Sequence, residues 1–152
     1  MTYPEPVLEP VGGTEENYMV VAVFVHPTSV GMVTVRVGFV SDGASLPVNL
    51  GWSHWDAVTA AAAVLHDGLY ESELAPRSDA DRVLRETMLQ HGCSSFRAWV
   101  YWCAVRSFGW IPWKQHTLES ITKARQLVSV SNQLTGAVRI DRMLAGGILR
   151  TA

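Results

Sequence analysis

Two hydrophobic periods divide this chain. Between residues 18 and 40 apolar positions come in β-branched runs and alternations, and beyond about residue 55 they recur every three or four positions. YMVVAVFV at 18–25 and MVTVRVGFV at 32–40, joined by HPTSVG, predict a β-hairpin with a longer loop. In the second strand Val33, Val35, Val37 and Phe39 share one face, with Thr34 and Arg36 on the other, so one side is expected in a core. Ahead of the hairpin, Pro4, Pro6, Pro10 and the Gly12 and Gly13 pair predict an extended arm over residues 1–17, without regular pairing.

The helical part follows. Residues 55–72 contain no proline and a run of alanines, which predicts a helix. Pro76 and Ser78 close it and open a second helix that ends near His91 and Gly92. Ser94 is an expected N-cap for 96–108, apolar on nearly every face, with Gly109 as its C′ stop. WIPW at 110–113 reads as a turn, and Thr117 caps a more polar helix through about Val130. The fold class is therefore α+β, an N-terminal β-hairpin followed by an antiparallel helical core. A single globular domain over 18–130 stands between the arm and a C-terminal docking segment at 131–152.

The chemistry gathers in AAAAVLHDGLYESELAPRSDAD at 60–81. Tyr70 shares a helix face with His66 and Asp67, four and three positions before it. A short connection makes the two helices antiparallel neighbours, which brings Asp81 level with His66 and within reach of its ring. Upstream, the SDGASLP turn at 41–47 offers small side chains and free carbonyls able to wrap a hard cation. The alanines at 60–63 let that loop approach the face carrying His66 and Asp67. Structural explanations compete at each position. Ser78 and Asp81 fit a capping box, Asp81 and Arg85 an i,i+4 pair, His66 a core histidine, and Asp67 an ion pair with Arg77 or Arg82.

Composition narrows the partners. Charged residues make up 17% and apolar residues 48%, with six tryptophans, so some apolar surface is expected to meet a partner or lipid. A net charge of −2 supplies no basic field, which argues against nucleic acid. Cys93 and Cys103 lack zinc spacing, and if Cys93 begins the helix containing Cys103 their ten positions span about 15 Å, too far to bridge, so both are expected reduced. No apolar run approaches the roughly 20 residues of a membrane helix, and the N-terminus has no basic leader.

FVSDGASLP at 39–47, HDGLY at 66–70, RSDAD at 77–81 and RSFG at 106–109, in that order, resemble a phage and prophage family of unknown function. That resemblance implies host cytoplasm during infection or the virion, and phage structural proteins or envelope lipid as partners. A more distant likeness is to the secreted phospholipase A2 enzymes. Their calcium loop is matched by Asp42, Gly43 and Ser45, with Ala44 in place of a cysteine, their helix motif by His66, Asp67 and Tyr70, and their partner acid by Asp81. The likeness implies that His66 activates water, Asp81 holds its tautomer, and Asp67 binds calcium with the loop around Asp42, Gly43 and Ser45. Tyr70 completes the catalytic group. Two functions of different class follow: a calcium-dependent ester or lipid hydrolase, or a non-catalytic virion or assembly component, most simply of the tail. A tandem His-Asp phosphohydrolase would need His54 as a further ligand.

Overall fold

The computed structural model describes residues 2–13, 17–43 and 56–131. Among them the fold is mixed α+β, with antiparallel strands first and five helices after. β1 (Leu8–Pro10), β2 (Tyr18–Val20) and β5 (Val40–Ser41) form one antiparallel sheet in the order β1-β2-β5. β3 (Phe24–Thr28), β4 (Gly31–Val35) and β6 (Val128–Ser131) form a second, in the order β3-β4-β6.

The strands differ from the expected hairpin in three ways. Leu8–Pro10 pairs with β2, so the arm is not wholly unpaired; Pro10 is tolerated because β1 is an edge strand. The 18–25 run divides at Val21 and contributes to both sheets. The connection is also tighter than HPTSVG, because His26 and Pro27 are in the strand and only Ser29 and Val30 turn. There Gly31 adopts φ 124°, and the Thr28 hydroxyl donates to the Gly31 carbonyl at 2.8 Å. Val33, Val35 and Phe39 are buried as expected, whereas Val37 is exposed because β4 ends at Val35.

α1 (Ala60–Ser72) is the axis of the molecule, with ten of its thirteen residues buried. One face packs on Val20, Phe24, Val33, Val35, Phe39 and Val128 from the sheets. Its Ala62 and Ala63 pack instead with Leu84 and Met88 of α2 (Arg77–Gln90) and Ala98 and Tyr101 of α3 (Ser95–Phe108). Gly68 permits the close approach to the sheet, since a methyl there would lie 3.3 Å from the Val128 side chain. α1 ends at Glu73, whose φ of 47° turns the chain, and Arg125 from α5 (Leu118–Leu127) donates to the Ser72 and Glu73 carbonyls.

α2 begins after Pro76, so Ser78 lies inside the helix and does not cap it. Ser94 caps α3 as expected, by accepting from the Arg97 amide. α3 nevertheless buries only Ala98 and Tyr101 and exposes Phe96, Trp99 and Phe108. α3 stops at Phe108, and Gly109 caps it in a right-handed conformation, with φ −62°. WIPW forms a short helix, α4 (Trp110–Trp113). The Thr117 and Ser120 capping box opens α5, which gives way at Val128 to β6 because VSVS alternates and has β-branched residues to pair with β4. Ser45, His54 and residues 132–152 of the expected docking segment lie outside the described residues.

Candidate functional site

α1 and α2 lie antiparallel and bring His66 and Asp81 together across their interface. His66 Nε2 donates to Asp81 Oδ1 at 3.2 Å, and Nδ1 faces Asp67 Oδ1 at 3.4 Å. Asp81 is wholly buried and also receives Arg106 Nη1 at 3.0 Å and Arg77 Nη1 at 3.6 Å on its other oxygen. Its task is this ring-and-arginine cluster, not a capping box. Arg77 is its i,i+4 partner, from the N-terminal side, while Arg82 pairs with Asp79.

The ring sits in a double acid clamp. Burial by itself lowers the His66 pKa, but hydrogen bonds to Asp67 and Asp81 outweigh it and raise it to about 9. At neutral pH His66 is therefore an imidazolium with both nitrogens donating. The Tyr70 ring packs on that of His66 with centroids 4.8 Å apart, and its hydroxyl donates to the Gly109 carbonyl. Tyr70 thus fixes the ring's position through packing, and its hydroxyl is committed to the start of α4.

Asp67 is oriented from its other side. The Ser41 hydroxyl donates to Asp67 Oδ2 and accepts from the Gly43 amide at 3.2 Å. The loop after β5 therefore meets the site helix, as the alanine run suggested. Asp42 is pushed up to about 6, first by burial and then by the charge of Asp67, and Glu71 to about 7 by burial, Asp67 and Asp42. Both side chains keep exposed surface, so solvent screens part of that crowding. Three hard carboxylates crowding one another suit a hard cation by donor chemistry. Among the described residues, however, no three candidate ligands stand close enough to hold a metal ion.

A cavity of about 910 Å³ opens on this group. Asp42, His66, Asp67 and Glu71 line one part, Tyr101, Val105 and Phe108 of α3 an apolar wall, and His116 and Lys123 a further edge. Residues 18–105 match the model of a family described as a protein of unknown function, DUF1353. The chain belongs to the DUF1353 family. The matched stretch holds Ser41, Asp42, His66, Asp67, Tyr70 and Asp81, and stops one residue before Arg106. No curated protein and no solved structure matches this DUF1353 chain.

Sequence reasoning brought His66, Asp67, Tyr70 and Asp81 into one group, with Asp42 and Gly43 beside it. It missed Ser41, Arg106, Glu71 and His116. Glu71 stands four positions after Asp67, so helical spacing alone could have added it. Ser41 directly precedes Asp42, and a hydroxyl at a loop start is a recurrent backbone cap. Arg106 heads the RSFG block but nothing local ties it to this site, and nothing local points to His116; they arrive from α3 and the segment after α4 through tertiary packing.

Proposed function

We propose that this DUF1353 protein is a phage-encoded, calcium-dependent ester hydrolase of the phospholipase A2 kind, acting on host envelope lipid. The observation that carries the reading is the His66 ring held by wholly buried Asp81 on one nitrogen while its other nitrogen faces Asp67 at the cavity wall. Two antiparallel helices supplying an imidazole and its acid also agree with the likeness to those enzymes.

In this reading the fraction of His66 that is neutral, which grows as pH rises towards its raised pKa of about 9, takes a proton from water at Nδ1 as the water oxygen adds to the ester carbonyl. The tetrahedral adduct then collapses, and the imidazolium returns its proton to the departing alkoxide, leaving an alcohol and a carboxylic acid that loses its remaining proton to solvent. Asp81 keeps Nε2 protonated and stabilises the positive ring, and Arg106 and Arg77 fix the position of its carboxylate. The α3 wall of Tyr101, Val105 and Phe108 receives an acyl chain. Calcium held by Asp67, Asp42 and the loop through Gly43 and Ser45 would supply the Lewis acid for the oxyanion and engage Asp67 in place of the ring. Fatty-acid release from phospholipid vesicles tests this: it should require calcium and vanish in His66→Gln with the circular dichroism unchanged. No calcium-dependent release by the wild-type chain defeats the reading.

A second reading, a non-catalytic virion component of the tail, is favoured by one observation. Phe96, Trp99, Phe108, Trp110 and Ile111 are all exposed, so α3 and α4 present an unusually apolar surface. Loss of the chain from phage particles when Phe96 and Trp99 become serine would support it, and normal incorporation would count against it.

A further inference from the structure

We propose that His116 and Lys123 form an anion subsite at one edge of the cavity, which takes the phosphate of a lipid headgroup while the acyl chain lies along the apolar lining; the inference rests on the ester-hydrolase reading. The pattern is carried by α5 and the residue just before its cap. His116, Ser120, Lys123, Ala124 and Leu127 all line the cavity, at spacings that share one helix face. Along that face the side chains pass from polar at the N-terminal end to apolar at the C-terminal end. Val105 and Phe108 of α3 add to the apolar lining. A molecule with an anionic head and a hydrocarbon chain matches this gradient.

Among the described residues lining the cavity, His116 and Lys123 are the basic side chains besides His66. His116 Nδ1 donates to Glu73 Oε1 at 3.0 Å, and its ring centroid lies 5.6 Å from that of Trp113 and 6.0 Å from that of Tyr70, which fixes its orientation. Nε2 makes no hydrogen bond to a described residue and is left for a ligand. With an anion at Nε2 the ring carries its second proton, held between two negative groups as His66 is between Asp67 and Asp81. Lys123 makes no salt bridge among the described residues, although its charge acts on Glu71. The Cα–Cβ bond of a helical residue tilts toward the N-terminus of its helix, which sends Lys123 in the direction of His116. The subsite is made of side chains and not of the helix end, whose Ser120 amide and hydroxyl are engaged in the capping box with Thr117. Asp42, Asp67 and Glu71 repel an anion from the rest of the polar lining, so the α5 edge is where it settles.

Calorimetry on the full chain, with calcium chelated, tests the subsite. The probe is dodecyl phosphate below its micelle concentration, which has an anionic head and one chain but no carboxylic ester. It should bind, at least tenfold more weakly in His116→Gln and in Lys123→Gln, with affinity largely restored in Lys123→Arg. Dodecyl glucoside, the same chain on an uncharged head, should bind at least tenfold more weakly than dodecyl phosphate and be indifferent to Lys123→Gln. Inorganic phosphate should also bind at least tenfold more weakly; binding as tight as that of dodecyl phosphate would overturn the headgroup assignment and leave a site for the free anion. Lys123 is exposed on α5, so Lys123→Gln should fold even if the loss of the Glu73 pair harms His116→Gln. Absence of dodecyl phosphate binding, or binding unchanged in Lys123→Gln, overturns the subsite. Since the probe cannot be cleaved as an ester, its result stands apart from fatty-acid release, which alone decides the ester-hydrolase reading.

Discussion

Asp81→Asn keeps the volume of the side chain and removes one wholly buried charge. Breaking a buried ion pair from one side costs about 3–5 kcal/mol. Arg106 and Arg77 have side chains 36% and 22% exposed, so they turn toward water and their share is small. His66 is only 9% exposed and cannot do so; it keeps Asp67 and loses the share of its raised pKa that Asp81 supplies. A rise from the ordinary 6.5 to about 9 is worth about 3 kcal/mol for the two carboxylates together, which bounds that share. Asp81→Asn should therefore lose between about 1 and 3 kcal/mol in urea unfolding, or about 2–12 °C in Tm for a chain of this size. The pH dependence has a definite sign. The folded value lies above the ordinary 6.5, so the stabilisation from His66 is complete below pH 6.5 and is lost as pH rises through about 9. The gap between wild type and Asp81→Asn should narrow at that end. A loss under about 1 kcal/mol near pH 6.5, or a gap that does not change up to alkaline pH, refutes the reasoning.

Three further substitutions probe the supports of the site. Ser41→Ala removes the hydroxyl that joins Asp67 to the Gly43 amide and should cost about 1 kcal/mol in urea unfolding, with no loss expected if that bridge is absent. Gly31→Ala places a methyl 2.7 Å from the Ser131 carbonyl oxygen at φ 124°; a lowering of about 1–3 kcal/mol should appear in thermal melts, and a neutral result would mean β4 and β6 are not paired there. Gly109→Ala sets a methyl against both the Tyr70 hydroxyl and the Val105 carbonyl and should cost about 1–3 kcal/mol, part of which Tyr70→Phe in the same chain restores; no restoration would leave the Val105 carbonyl as the clash.

How much of this was legible in the sequence depended on how local each determinant was. The helix faces of α1 and α2, the Ser94 and Thr117 caps and the pairing of His66 with Asp81 follow from spacing and from a short connection, which act within a few residues. The strands were read less well. YMVVAVFV looks like one strand, yet it divides between two sheets, because partners for it come from Leu8–Pro10 and Val40–Ser41 on one side and from Gly31–Val35 on the other. Pairing with distant segments leaves no trace in a local pattern. The arm was judged by its prolines, which forbid a central strand but not a short edge strand. Val128 was read into the preceding helix, although alternation in VSVS was available as a warning. Arg106 joined the site by tertiary packing, so only the fold could reveal that Asp81 faces two arginines as well as an imidazole.

The claim everything here depends on is that His66 is an imidazolium held on both ring nitrogens by carboxylates. Long-range ¹H–¹⁵N NMR of the His66 ring measures this directly. The account predicts both ring nitrogens protonated at pH 7 and a titration midpoint near 9, lowered in Asp81→Asn. A neutral ring at pH 7, with a midpoint at or below the ordinary 6.5, would contradict it.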